Sequence, residues 1–289
     1  MQKKDLIAKI TFLIDIRSIG SANELRDLHY SIINSNKNLN VNKFIYVACE
    51  KIDREVEVTQ VEDNIMLVKY NDPGVVSVNN NNFKMENVLR IFGKLYAASR
   101  FLDTDLMIYL RKDMLNKPST LKLMLSDLIK SNLIHNKGIL LFQNKSTICN
   151  SMTDWYFAGY SSVFKSNMDN CRKLIKINRL EKSLSIFTSN EQLLYVSAGM
   201  KDYDYNLYGL ILSDLALKRE YILFHRARYL YFNNKLPLRI VLDDLFFFTP
   251  YPLCLLFLPF RYFASMAKII SKKPLKRLMA LGFNSDYLI

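Results

Sequence analysis

An α/β protein built on a Rossmann-type, mostly parallel sheet is what this sequence predicts, on three observations. Short apolar runs of strand length recur through the first half. Segments of helical periodicity separate them. Half of the 289 residues are apolar, enough to enclose a large core.

The elements follow in order. "KITFLIDI" (9 to 16), "KFIYVAC" (43 to 49), "IMLVKY" (65 to 70), "LMIYL" (106 to 110) and "GILLF" (138 to 142) have strand length and a β-branched or aromatic bias. Between them, "ANELRDLHYSIINSN" (22 to 36) places Leu25, Leu28, Ile32 and Ile33 on one helical face. "MENVLRIFGKLYAASRF" (85 to 101) does the same with Val88, Ile91, Leu95 and Ala98. Strands alternating with helices of this length imply a mostly parallel sheet covered on both faces. Neither a Gly-x-Gly-x-x-Gly after the first strand nor a Walker A sequence occurs, so both familiar phosphate-binding fingerprints are absent from the sequence.

Charge narrows the partners. The formal net charge of +13 favours anionic ligands or surfaces: nucleotide phosphates, nucleic acid or acidic lipid. Nucleic acid is not expected as a partner, because no zinc, helix-turn-helix or RNA-binding aromatic pattern accompanies the charge. The four cysteines, at 49, 149, 171 and 254, have no Cys-x-x-Cys spacing, which fits a reducing compartment and neither a zinc module nor a disulfide framework. The apolar run at the amino terminus is broken by Asp5, Lys9 and Asp15, and no signal peptide is expected. His29, His135 and His225 are scattered without metal-ligand spacing and read as structural or surface residues.

From about Asn178 onward the pattern turns helical, as in 190 to 200 and 208 to 232. The expected division is a domain over residues 1–200 and a helical, basic, membrane-proximal region over 201–289. From Lys218 to Ile289 there are 12 Lys or Arg against 4 Asp or Glu. Within it "LFFFTPYPLCLLFLPF" (245 to 260) has no charge and three prolines. It is shorter than the roughly 20 apolar residues of a spanning helix, and the prolines would break one. An apolar wedge beside Arg261, Lys268, Lys272, Lys273, Lys276 and Arg277 suits a monotopic protein on an anionic bilayer; the other reading is a packed core segment beneath a solvated basic face.

Residues 71 to 114 form an ordered series: an Asp72-Pro73-Gly74 turn, a polar loop containing Asn79 to Asn82, a helix carrying Asn87 and Arg90, an apolar strand, then Arg111 and Asp113. The series resembles the WavE family of lipopolysaccharide-synthesis proteins, which look like glycosyltransferases of the GT-A type. "TDWYFAG" (153 to 159) and "NEQLL" (190 to 194) resemble further elements of that family in the same order, so the likeness runs from about Lys9 to Leu194. Two departures are the "DIRSIG" after the first strand, where a Gly-Pro is expected, and Ile91, where the family has a polar residue.

The resemblance implies a GT-A-like domain that moves a sugar from a nucleotide-sugar donor to a lipopolysaccharide or other glycolipid or oligosaccharide acceptor. Its expected place is peripheral, on the cytoplasmic inner face of the membrane. Such a transfer leaves a diphosphate, whose charge is met by a divalent metal or by Arg and Lys. Asp72, Asn87, Arg90, Arg111 and Asp113 are the expected donor-binding residues, with Asp113 a ligand for Mg2+ or Mn2+. Arg-Lys-Asp in place of the usual Asp-x-Asp leaves a metal-independent site open, and Asp113 could instead cap the segment at Met114. For an inverting transfer Asp154 is the first candidate general base and Glu191 the second. Trp155 would stack on an acceptor sugar or simply pack in the core. Asp154 could also cap a helix running through Tyr156 to Gly159. Asp103 and Asp105, before the strand, are expected in a turn.

Overall fold

The computed structural model describes residues 10–36, 43–74, 86–116, 120–126, 140–141, 156–180, 197–198, 211–212, 215, 222–223, 241, 245–246 and 249–260. Within them lies an eight-stranded mixed sheet. Six strands have five or more residues: β1 (Ile10–Asp15), β2 (Lys43–Glu50), β3 (Val56–Glu62), β4 (Ile65–Asn71), β5 (Leu106–Arg111) and β7 (Tyr156–Tyr160). Two are ladders of two residues, β6 (Leu140–Leu141) and β8 (Ile222–Leu223). Their order is β3-β4-β2-β1-β5-β7-β6-β8. The long helices among the described residues are α1 (Ala22–Ser35), α2 (Glu86–Ser99) and α3 (Ser161–Leu180).

The connections explain why helices cover both faces. From β1 the chain passes through α1 to β2 on one side, then through β3 to β4. From β4 it returns through α2 to β5, on the other side of β1, with β1, β2, β4 and β5 all parallel. Right-handed crossovers running in opposite directions along a sheet place their helices on opposite faces. Leu25 and Ile32 of α1 accordingly pack with Phe12, Ile14, Phe44 and Tyr46. Phe92, Leu95 and Ala98 of α2 join Phe164, Met168 and Cys171 of α3 against Leu13, Ile45, Val47 and Tyr109. All six residues of β1 are buried, as a strand covered on both faces requires.

Local signals agree with these boundaries. Ser21 caps α1, its hydroxyl accepting from the Glu24 amide at 3.2 Å, while Glu24 accepts from the Gly20 amide at 2.8 Å. The Asp72-Pro73-Gly74 turn is present: Gly74 has φ of 71° and donates its N–H to Asp72 Oδ1 at 2.9 Å. Gly93 brings α2 close to β4, since a Cβ there would collide with the ring of Tyr70. His29 is structural as expected, buried with Nδ1 3.0 Å from the Tyr46 hydroxyl. His135 and His225 lie outside the described residues.

The sheet is mostly parallel, as expected, with β3 and β7 running antiparallel to β4 and β5. Two expectations are corrected. Tyr156 to Gly159 is strand rather than capped helix, because it pairs with β5 and Phe157 finds a buried partner there, its ring centroid 4.5 Å from that of Tyr109. Ile222 and Leu223, inside the segment 208–232 expected to be helical, pair in parallel with β6. Helical residues do occur at 211, 212 and 215. The stretch 190 to 200 is described only at 197 and 198, and Asn79 to Asn82 lie outside the described residues.

Candidate functional site

The strand order reverses between β1 and β5, which leaves a crevice beyond the carboxyl ends of the parallel strands. In open α/β sheets ligands bind there. The last residues of the strands set its floor: Asp15 of β1 is register partner of Arg111 of β5, and Glu50 of β2 is register partner of Asn71 of β4. Asp72 follows directly.

Each of these ends carries an ion pair. Arg90 Nε donates to Asp72 Oδ1 at 2.8 Å. Lys69 Nζ is 3.0 Å from Glu50 Oε2, whose other oxygen accepts from the Ile19 amide at 2.6 Å and so ties the β1–α1 loop to β2. Lys94 Nζ is 2.5 Å from Asp15 Oδ1, and the Tyr109 hydroxyl donates to Asp15 Oδ2 at 3.0 Å. Arg111 grips Asp113 with two bonds, Nε to Oδ1 at 3.1 Å and Nη2 to Oδ2 at 2.9 Å. Arg90 and Lys94 are four residues apart, so α2 presents both cations on one stripe along the strand ends.

Burial separates these pairs into two kinds. Asp15 and Lys94 are each 9 % exposed and form the floor. Arg90 and Arg111 are 32 % and 35 % exposed, within reach of a ligand. The Arg90 hydrogen bond, with help from the Gly74 N–H, holds the Asp72 carboxyl below the usual aspartate range against the opposing effect of burial. Burial pushes the nearby Cys49 thiol up to about 11, so it is a neutral thiol at neutral pH and no nucleophile. Outside the pairs stand three exposed cations, each just past a strand end: Arg17 after β1, Lys51 after β2 and Lys112 after β5.

Of the residues expected from sequence, Asp72 and Arg90 are brought together, as are Arg111 and Asp113. Asn87 lies in α2, with its side chain outside the described residues. Asp154, Trp155 and Glu191 also lie outside them. Asp113 is inside a 3₁₀ turn, Lys112–Asn116, and binds Arg111 rather than capping the segment at Met114. Asp103 lies before β5 at the opposite end of the sheet, as expected, and is paired with Lys43 at 2.6 Å. Sequence reasoning missed Asp15, Glu50, Lys94 and Tyr109. The available signals were an acid at the last position of an otherwise apolar strand and a lysine one turn after Arg90.

A divalent metal at Asp113 fits this arrangement poorly. Both carboxylate oxygens are already engaged by Arg111, and no group of three His, Cys, Asp or Glu able to hold a metal occurs among the described residues. A groove of about 460 Å³ is lined by Glu55, Tyr96, Arg100, Phe101 and Arg172 among others. Its Arg172 guanidinium stacks on Tyr96 at 4.5 Å. No protein-family model and no curated protein matches this chain.

Proposed function

We propose that the chain is a nucleotide-sugar-dependent glycosyltransferase with a GT-A-like domain, transferring a sugar to a lipopolysaccharide or other surface-glycan acceptor. The observation that carries the reading is the cluster of cations at the carboxyl ends of three neighbouring strands. Arg17, Lys51 and Lys112 are exposed there, outside carboxylates that already have their own partners. A rim of this kind suits an anionic ligand such as a nucleoside diphosphate.

The chemistry follows from the charges. As the glycosidic bond to the diphosphate breaks, negative charge grows on the leaving oxygen, and fixed cations stabilise that charge more than they stabilise the bound donor. Arg90 and Arg111 would supply it, each oriented beforehand by a carboxylate, Asp72 and Asp113. The Arg111–Asp113 fork favours charge neutralisation by arginine. Asp154 would take the proton of the acceptor hydroxyl, with Glu191 the alternative and Trp155 the platform for the acceptor sugar. Tyr156, the residue after Trp155, pairs with Leu110 immediately before Arg111. The strand bearing the "TDWYFAG" sequence therefore begins at the crevice.

A membrane-bound scaffold without transfer activity is the second reading, favoured by the exposed apolar residues near position 253. It gives no role to the cations at the strand ends. Thermal unfolding with a panel of nucleotides and nucleotide-sugars separates the two. At a ligand concentration 100 times Kd, stabilisation of about 2.7 kcal/mol is expected from at least one of them, and reduced in Lys112→Gln. No response to any would overturn the transferase reading.

A further inference from the structure

The described residues include seven exposed large hydrophobic side chains, and five of them fall between 245 and 260: Leu245, Tyr251, Leu253, Leu256 and Phe260. Their fold is local. Thr249 donates its amide to the Leu245 carbonyl, Cys254 to that of Pro250 and Leu255 to that of Pro252. A 3₁₀ turn, Leu253–Phe257, then continues helically through residues 258 to 260. Phe246 and Cys254 are fully buried and fasten this hook to the protein. Leu253, Leu256 and Phe260, spaced three and four residues apart, fall on one side of it. They are 58 %, 65 % and 64 % exposed, and Tyr251 is 71 % exposed. An outward stripe this apolar is rare on a surface that faces only water.

We infer that this hook is the membrane-docking surface of the protein and that its partner is an anionic bilayer. Charge selects the occupant. The sequence runs from Phe260 directly into Arg261, and between there and Arg277 it carries six Lys or Arg and no Asp or Glu. A second copy docked on the same stripe would bring two such segments together and be opposed by their repulsion, whereas acidic headgroups attract them. The stripe inserts shallowly, since no described helix is long and apolar enough to cross a membrane. Tyr251, with an apolar ring and a polar hydroxyl, suits the headgroup level. The inference is independent of the transferase reading, because vesicle binding requires no nucleotide.

The test is sedimentation of the full chain with vesicles of phosphatidylcholine alone and of phosphatidylcholine mixed with phosphatidylglycerol. The wild type should bind the mixed vesicles and be partly released by salt. The double variant Leu253→Ser/Leu256→Ser should bind about tenfold more weakly or worse, as should Lys272→Gln/Lys273→Gln/Lys276→Gln/Arg277→Gln. Tyr30→Ser, which changes an exposed aromatic elsewhere, should bind as the wild type does. Both leucines are exposed, so unchanged melting temperatures are expected and distinguish lost docking from lost folding. Several results would overturn the inference: no binding to either vesicle, undiminished binding by the double serine variant, or dimerisation of the wild type that the serine changes abolish. The last would give the stripe to a second copy.

Discussion

Lys94 on α2 and Asp15 at the end of β1 form an ion pair 2.5 Å long in which each side chain is only 9 % exposed. They are 79 positions apart in the sequence, so the pair fastens a helix to the central strand at the floor of the crevice. Two charges in so dry a place are tolerated because each has the other, and Asp15 also has the Tyr109 hydroxyl.

Removing one partner should therefore be costly. Lys94→Met leaves a buried carboxylate without its cation and should destabilise the fold by about 3 kcal/mol or more, whereas Asp15→Asn/Lys94→Met should recover a large part of that loss. Urea denaturation of wild type, single and double variants measures both. A loss below about 1 kcal/mol in Lys94→Met, the range of exposed pairs, would show that water reaches the pair.

The Arg111–Asp113 fork should behave in the opposite way, contributing little to stability and much to transfer. Asp113 is half exposed, so Asp113→Asn should leave the melting temperature nearly unchanged. On the proposed mechanism it should slow transfer by about 10²-fold, the scale of losing one oriented transition-state contact. Arg111→Lys should be impaired as well, since an ammonium keeps the charge and not the two-bond geometry. Turnover and melting are measured on the same preparations, and full activity in Asp113→Asn would take that residue out of the site.

His29 should make stability depend on pH. Burial lowers its pKa from the ordinary 6.5, an effect that Glu62 only partly opposes. The unfolded chain then takes up a proton at a pH where the folded protein still resists it. The stability margin is complete above about 6.5 and shrinks as pH falls from there toward the lower folded value. Chemical denaturation across that range should show the decline in the wild type and a flatter profile in His29→Phe. Parallel profiles would assign the pH dependence to other groups.

Much of the fold was legible in the sequence, and the reasons differ from element to element. The four parallel strands and the first two helices are long, strongly patterned and buried as their patterns require. β3 escaped notice because it is an edge strand in which Glu57, Thr59, Gln60 and Glu62 are distributed over both faces, and only Val61 in it is buried. β7 escaped because "YFAGY" is short and contains glycine, and only its pairing with β5 makes it a strand. At the crevice, residues that the resemblance marked lie in pairs. Asp72 and Arg90, and likewise Arg111 and Asp113, proved to be partners of one another. Asp15 and Lys94 were not found, because a lone lysine in a helix ordinarily points to water and nothing local reveals a partner 79 positions away.

The contact of Gly93 with the Tyr70 ring places a single steric constraint between two electrostatic ones. Arg90 lies three residues before the glycine and Lys94 one residue after it, so the height at which α2 rests on β4 decides whether either cation reaches its carboxylate. Asp72–Arg90 and Asp15–Lys94 share no atom, yet a methyl group at position 93 would press on the helix that carries both cations unless the Tyr70 ring gave way. Positions 70 and 93 thus pack as one unit: a larger residue at 93 requires the Tyr70 ring to move aside or a smaller residue at 70.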